Sequence, residues 1–573
     1  MDEALWYCAS FTGHSMLDAD ATMASVFGQV NSKFMNRTKA LLALRGFVLV
    51  LAPAIFFVTS LSTRGQAVPH LTVIQPGGMP GIPVMTGISR VTNGVTMTWE
   101  GPSGFYQVWQ KVSLRDAKWV AVGKATNLVR SATVTTLYSN AFFRVSGPSP
   151  RYLGAQACAE CHQAIHDTEV HTRHAGAFTN AHFIAAGGQT NGSCLPCHTV
   201  GYGLPTGFVS ASKTPLLAGV QCENCHGPAA NHAANPNDPT VVPRVELAAT
   251  VCGGCHTDSQ HPTYDEWKTS GHAEVVPDAL AAMSSSTNNI DSCGRCHSGS
   301  ARLALIQGLN PVATLTNDFN VAITCAVCHD PHQTNSHPAQ LRNPVVSTND
   351  YFITTSGVFT NQYNPSVNLC AQCHNHRGAA WTSSSRAPHH SPQYNMLLGT
   401  VGELDTGLAP NQPGSHALLI TNQCVGCHMQ TADFVSAQQP AITGHSFQVE
   451  LYNNCLKCHP LPELLVAFTT SSVSNQIQQV KADLDFWAAT QAPAQLWTNY
   501  GTRSWEYTMP GDLSPGGSGP SAADQALIPV NIQKARFNLY VVLYDGSYGV
   551  HNGPYTITLL DTADNWIQEE LNP

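Results

Sequence analysis

The chain has 573 residues, only 11% of them charged, and a formal net charge of −9. That length accommodates two or three domains. The acidity argues against nucleic acid as a partner, because binding a phosphate backbone takes basic patches.

Residues 1–34 carry no periodic pattern. Arg37, Lys39 and Arg45 then precede an apolar run from Gly46 to Ser60, and the small residues Gly65 and Ala67 follow. A basic n-region, a short h-region and a small-residue exit read as a secretory signal peptide. A start at Met35 is an alternative that would remove Cys8 with the prefix. The run is short for a membrane span and contains Pro53, so membrane association is expected only if the segment stays uncleaved. Residues 1–67 are thus an N-terminal extension and signal, and the mature chain is expected in the periplasm or at the cell surface.

Residues 68–148 change character. Short β-rich runs are expected at Gly87–Val91, Val95–Trp99, Phe105–Val112, Trp119–Val122, Ala132–Leu137 and Ala141–Ser146, with a Thr92-Asn93-Gly94 turn after the first. Asn-Gly between two such runs is a hairpin signal, and the spacing fits a small antiparallel sandwich. The length and the placement of Trp99 and Tyr106 resemble a fibronectin type III module. The segment has no cysteine and one histidine, His70, so it reads as a docking module or spacer.

From 149 to 460 the pattern Cys-x-x-Cys-His occurs nine times and uses all the cysteines but Cys8. The copies are called motifs 1 to 9 in chain order. Motif 1 is Cys158, Cys161 and His162; motif 2 is Cys194, Cys197 and His198; motif 3 is Cys222, Cys225 and His226. Motif 4 is Cys252, Cys255 and His256; motif 5 is Cys293, Cys296 and His297; motif 6 is Cys325, Cys328 and His329. Motif 7 is Cys370, Cys373 and His374; motif 8 is Cys424, Cys427 and His428; motif 9 is Cys455, Cys458 and His459. This is the attachment signature of c-type haem: two thioethers to the porphyrin and a proximal histidine under the iron. A structural zinc protein would need the motifs in pairs, four ligands per metal, and has no use for a histidine at one fixed offset. Nine covalently bound haem c groups are therefore expected. Between the motifs the chain is rich in Gly, Pro, Asn and Ser, so the macrocycles must supply apolar volume, with short helices at the motifs. Residues 461–573 read as helical, with candidates at Val473–Gln491, Ala522–Tyr544 and Thr556–Leu571, forming a scaffold or a homo-oligomer surface. The fold class is multidomain: a small all-β sandwich, then a mostly α or irregular multihaem domain, then a long-helix bundle.

Each iron has a second axial position. Only Met283, Met396 and Met429 lie between the first and last motifs, and Met429 adjoins His428. Fifteen histidines beyond the proximal ones follow the β-module, so bis-histidine ligation is the default. His332 lies three residues after His329. Three residues span at most about 11 Å, too little to pass comfortably to the far face of the same macrocycle, so His332 should bind a neighbouring haem.

Several stretches resemble the multihaem cytochrome c superfamily around hydroxylamine oxidoreductase, its tetrahaem acceptor cytochrome and cytochrome c nitrite reductase. They are motif 1 with His174-Ala175, Trp267-Lys-Thr-Ser-Gly-His272-Ala273, His226-Gly-Pro with His232, His329-Asp-Pro-His332, Thr443-Gly-His445-Ser-Phe, and Gly549-Val-His551-Asn. The resemblance implies distal ligands at His174, His232, His272, His332, His445 and His551. His390 (or His389) and His416 join them on sequence context, and the ninth is left among His182, His337 and His376 or is absent. Nitrite reductases of that group usually place Lys after the second Cys of the catalytic motif, whereas all nine motifs here end in His.

The function expected first is an electron conduit between redox proteins or quinol-linked donors. The alternatives are an oxidoreductase of the nitrite, hydroxylamine or tetrathionate type with one five-coordinate haem, and a subunit of an extracellular haem filament.

Overall fold

The structure is a computed structural model. It describes residues 84–572 apart from 92–93, 101–104, 114–117, 127–130, 136–140, 147–150, 238–240, 316–317, 334–336, 343–368 and 406–411. The signal-peptide reading and the Thr92-Asn93 part of the hairpin turn fall outside the described residues. The chain divides into two compact units. One takes the residues up to His162 together with Arg173–Arg244; the other takes Gln163–Thr172 and everything from Val245 on.

In the first unit six strands form two antiparallel sheets. β1 (Val84–Val91), β2 (Gly94–Glu100) and β5 (Ser131–Thr135) make one, in the order β1-β2-β5. β3 (Phe105–Lys111), β4 (Val120–Thr126) and β6 (Phe142–Ser146) make the other, in the order β4-β3-β6. Alternate side chains point to one face, and the inward set from both sheets shares one core: Met85, Met97, Trp99 and Val134 from the first, and Tyr106, Val108, Phe143 and Val145 from the second. Trp99 and Tyr106 pack at 5.5 Å between ring centroids. Val91 pairs with Gly94, so Gly94 opens β2 instead of belonging to the turn and two residues are left for the connection.

The motifs sit on very short helices, such as Cys222–His226, Gly294–His297, Cys325–Cys328 and Gln423–His428. The reason is local. The backbone N–H of the motif histidine donates to the carbonyl of the first cysteine four residues back, as in His256 to Cys252 at 2.9 Å, His374 to Cys370 at 2.9 Å and His459 to Cys455 at 2.8 Å. One helical turn therefore brings both thiols and the imidazole to one side of the chain. Around these turns the apolar clusters are small, for example Met283, Ile290, Ala301 and Leu315, or Ala371, Tyr394, Leu397, Leu398 and Ala417.

The C-terminal part of the second unit has an ordinary core. Helix α1 (Pro462–Thr490) is followed by α2 (Ala494–Tyr500), α3 (Val530–Asp545) and α4 (Gly553–Leu571). On α1 the buried positions are Val473, Ile477, Val480, Leu484, Trp487 and Ala488, the three-and-four spacing of one apolar stripe. α1 begins eleven residues before the expected Val473. Pro462 and Glu463 suit a helix start, but the first three turns are largely exposed, Phe468 at 75%, so no burial period marks them. α3 begins at Val530, not Ala522, because Pro529 stands immediately before it and residues Asp524–Leu527 form a separate 3-10 turn. Among the described residues no helix is long and apolar enough to cross a membrane.

Candidate haem-binding centre

A haem held between two imidazoles demands a fixed ring spacing. With metal–nitrogen bonds of about 2.0 Å and about 1.1 Å from each nitrogen to its ring centre, the centroids stand about 6.2 Å apart. Six motif histidines have a second histidine ring at this distance: His162 and His232 at 6.4 Å, His374 and His272 at 6.1 Å, His297 and His389 at 5.9 Å, His329 and His445 at 6.2 Å, His459 and His416 at 6.1 Å, and His428 and His551 at 6.3 Å. The residues present thus fit the group. Among the described residues no three His, Cys, Asp or Glu side chains converge on one point, as a closed zinc cage would require.

The attachment cysteines are less enclosed than structural thiols, which are usually among the most buried side chains. Cys161 and Cys458, of motifs 1 and 9, are exposed. Cys197, Cys225 and Cys255, the second cysteines of motifs 2, 3 and 4, are only half-buried, as are Cys158, Cys222, Cys293, Cys427 and Cys455. The physical reason is that a thioether joins the rim of a porphyrin, so its sulfur has to face room that protein side chains do not fill. Cys194 departs from this setting. It is 5% exposed, in a cluster with Leu195, Val200 and Phe208, while Cys197 of the same motif is half-buried.

The inner nitrogens of several of the histidine rings are also engaged. His329 Nδ1 is 2.7 Å from Ala339 O, His428 Nδ1 is 2.9 Å from Phe447 O, and His416 Nδ1 is 2.9 Å from Val550 O. His226 Nδ1 is 2.6 Å from Arg244 O and His198 Nδ1 is 3.1 Å from Ala177 O. An Nδ1–H donated to a carbonyl fixes the tautomer and leaves Nε2 as the ligating atom. Burial pushes the pKa of His272 down to about 4, with His374 adding to the effect, and burial followed by Arg377 and His297 does the same for His389. Both rings are thus neutral at ordinary pH, the form that binds a metal. His551 differs. Burial pulls its pKa down, but the Asp545 carboxylate, 2.7 Å from Nδ1, outweighs this and the net shift is upward.

The segment Thr443–Phe447 is held by one carboxylate. Glu266 accepts from Thr443 N (2.8 Å), Thr443 Oγ1 (2.7 Å) and His445 N (2.7 Å), and His445 Nδ1 is 3.0 Å from Thr443 O.

Of the two adjacent histidines, it is His389 whose ring faces His297. His390 is instead stacked on Tyr544 at 3.7 Å, with Nε2 3.9 Å from Asp512 and a side chain 61% exposed. His332 follows a turn in which its N–H donates to Asp330 Oδ1 at 3.1 Å, and its ring nitrogen lies 3.9 Å from the same atom. The carbonyl of His174 accepts from Val220 N, next to Gly219 N, which donates to His198 O. Burial lowers the His174 pKa. His198 itself stacks on Phe183 at 4.1 Å.

Motifs distant in sequence lie side by side. The thiols of Cys296 and Cys373 hydrogen-bond each other, with Cys296 Sγ 3.8 Å from Gln372 O and Cys373 Sγ 4.0 Å from Arg295 O. Cys370 and Cys424 form a second such pair, and Cys252 and Cys325 a third. Cys328 lies within electrostatic range of Cys370 and Cys373.

Residues 157–227 match the family described as cytochrome c554 and c-prime, and residues 208–298 match cytochrome c7 and related cytochrome c. The multihaem cytochrome MtrA of Shewanella baltica is 28% identical over 160 residues, 24% of this chain and 45% of that protein. The C-type polyhaem cytochrome OmcB of Geobacter sulfurreducens is 25% identical over 297 residues, 47% of this chain and 35% of that protein. The chain thus spans less than half the length of these relatives. Among solved structures, the outer cell wall cytochrome OcwA aligns with a TM-score of 0.46 and 19% identity, over 73% of this chain and 100% of that one. Over the matched residues the chain is similar to multihaem c-type cytochromes, a likeness that implies covalently bound haem c.

Proposed function

We propose that this chain is an exported nonahaem cytochrome that conducts electrons through closely spaced haems between redox proteins or quinol-linked donors and their acceptors. The observation that carries the reading is the set of six histidine pairs at 5.9–6.4 Å. Haem supplies the one-electron chemistry. The chain's residues hold each iron between two imidazoles, and an iron so capped at both faces offers no open position to substrate. His174 completes the ligation of motif 2 or motif 3, which share its unit. His332 caps the haem of motif 4, because Cys252 of that motif touches Cys325 of the motif His332 follows. That makes eight distal ligands. The ninth position decides between a pure conduit and an oxidoreductase with one open iron.

Mass spectrometry of the purified protein is expected to give the chain from near Val68 plus nine haem masses, and low-temperature EPR of the oxidised protein is expected to be dominated by low-spin signals. Eight or fewer haems in a fully matured sample would refute the count, and a high-spin signal integrating to one haem would favour the oxidoreductase.

The β-module is read as a fibronectin type III-like docking or spacer unit. Its two three-stranded sheets around Trp99 and Tyr106 support this. Removal of residues 68–148 with the signal retained is expected to leave the haem spectrum unchanged, since no ligand comes from there. Loss of haem on deletion would instead make the module part of the haem fold.

A further inference from the structure

Phe447 stands where several motifs meet. Its ring is edge-on to His272, with centroids 4.5 Å apart and planes at 86°, and lies 6.0 Å from the ring of His445 at 63°. Its carbonyl is the partner of His428 Nδ1. One residue thus touches the second histidine of motif 7, the second histidine of motif 6 and the first histidine of motif 8.

The backbone there is constrained. Phe447 has φ of +58°, in the left-handed region where a bulky residue is rare. Three residues earlier Gly444, at φ +74°, is pressed so closely to Met429 that an added Cβ would lie 2.6 Å from its Cα. Glu266 pins Thr443 and His445, on either side of Gly444, by the three hydrogen bonds described above. Such conformations persist where the surroundings over-determine them, and they cluster at functional sites. The motif turns converge on the same place: motif 7 touches motif 5 through Cys373 and Cys296, touches motif 8 through Cys370 and Cys424, and has Cys328 of motif 6 nearby.

We propose that the haem on motif 7 is a branch point of the electron path, meeting those of motifs 5, 6 and 8, and that Phe447 is the positioning residue that orients the imidazoles of three of these four haems. The proposal rests on the haem reading above and extends it. An electron reaching motif 7 has three exits, and the relative orientation of the rings around Phe447 sets the ligand field, and hence the potential, of three of the irons it connects.

The test uses the full holoprotein. Phe447→Ala is expected to keep nine haems by mass spectrometry while the low-spin EPR signals of motifs 6 and 7, whose imidazoles the ring touches, shift together and that of motif 8, held by the retained carbonyl, moves least, and the midpoint potentials of the same two haems move in an EPR-monitored titration. Phe447→Tyr, which keeps the ring, is expected to restore the wild-type spectrum. Phe468→Ala, on an exposed helix face, is expected to move nothing. Nine haems with an unchanged spectrum, or a shift confined to one signal, would overturn the proposal. Should Phe447→Ala fail to retain haem, Phe447→Leu keeps the bulk and loses the ring, and the same two outcomes decide. A wild-type protein without haem would sink the cytochrome reading itself and is told apart by mass.

Discussion

Replacing Arg536 by alanine is expected to destabilise the C-terminal bundle by about 3–5 kcal/mol, the usual cost of removing one partner from a buried charged cluster. Arg536 lies on α3 and is wholly buried. Its Nη1 donates to the carbonyls of Trp505 (2.9 Å) and Glu506 (2.8 Å), and its guanidinium lies 4.1 Å from the centre of the Tyr507 ring. The Glu506 side chain, also buried, accepts from the Tyr540 hydroxyl. Burial raises the Glu506 pKa, while Tyr540 and, further down, Arg536 act the other way. Without Arg536 two carbonyls lose their donor and the carboxyl group loses its counter-charge. Urea denaturation of the holoprotein followed by far-UV circular dichroism reads the effect. The double variant Arg536→Met with Glu506→Gln is expected to recover much of the loss, because with both partners uncharged no unpaired charge is left in the core. A loss below about 1 kcal/mol for Arg536→Ala would show that the cluster contributes no more than an exposed ion pair.

Replacing His445 by glycine is expected to convert one haem from low-spin to high-spin while the haem attached through Cys325 and Cys328 stays covalently bound. His445 stands 6.2 Å from His329, and its neutral form is favoured first by burial and then by His329 nearby. EPR and the visible spectrum report the change, and added imidazole is expected to fill the gap and restore the low-spin signal. Glu266→Ala removes the acceptor of three hydrogen bonds in this segment. It is expected to weaken the His445 bond by about 10–100-fold, the usual effect of losing such a supporting partner, so that exogenous imidazole competes at lower concentration than in the wild type. A His445→Gly variant with no high-spin signal and no response to imidazole would remove His445 from the ligand set.

What was legible in the sequence was what chemistry forces to be local. The motif cysteines and their histidines must lie within one helical turn, so their spacing is fixed and visible. How far each thiol is enclosed was not: Cys194 and Cys197 share one motif, yet the first is buried and the second only half so, because Phe208 and its neighbours reach the first from outside the motif. The opposing histidines come from anywhere along the chain, and no spacing links His272 to His374 or His428 to His551. For these the sequence offered resemblance alone. His389 and His390 are adjacent and identical in type. The choice between them depends on Tyr544, some 150 residues away, which takes the ring of His390. Phe447 stands in one of the resembling stretches, but its role was not legible for a similar reason: it lies in two ring contacts and a positive φ, none of which leaves a pattern. In the C-terminal helices the apolar stripe located the buried half of α1 at Val473–Ala488 and not the exposed half before it, because periodicity records burial rather than helicity.

The interleaving of the histidine pairs bears on how this chain keeps its shape. Under the proposed ligation several closing histidines belong to stretches remote from the motif they serve: His272 follows motif 4 and closes motif 7, His445 follows motif 8 and closes motif 6, and His551, beyond motif 9, closes motif 8. Each iron is then a reversible cross-link. A tether closing a loop of about 100 residues removes on the order of 4–5 kcal/mol of unfolded-state entropy, and the loops from 329 to 445 and from 428 to 551 are of this size and overlap. A region with small apolar clusters can in this way be held by its cofactors as a disulfide-rich domain is held by its bridges, with the difference that these staples open one at a time by ligand exchange and reclose without an oxidant. Such closure cannot be completed before the stretch that carries His551 has arrived.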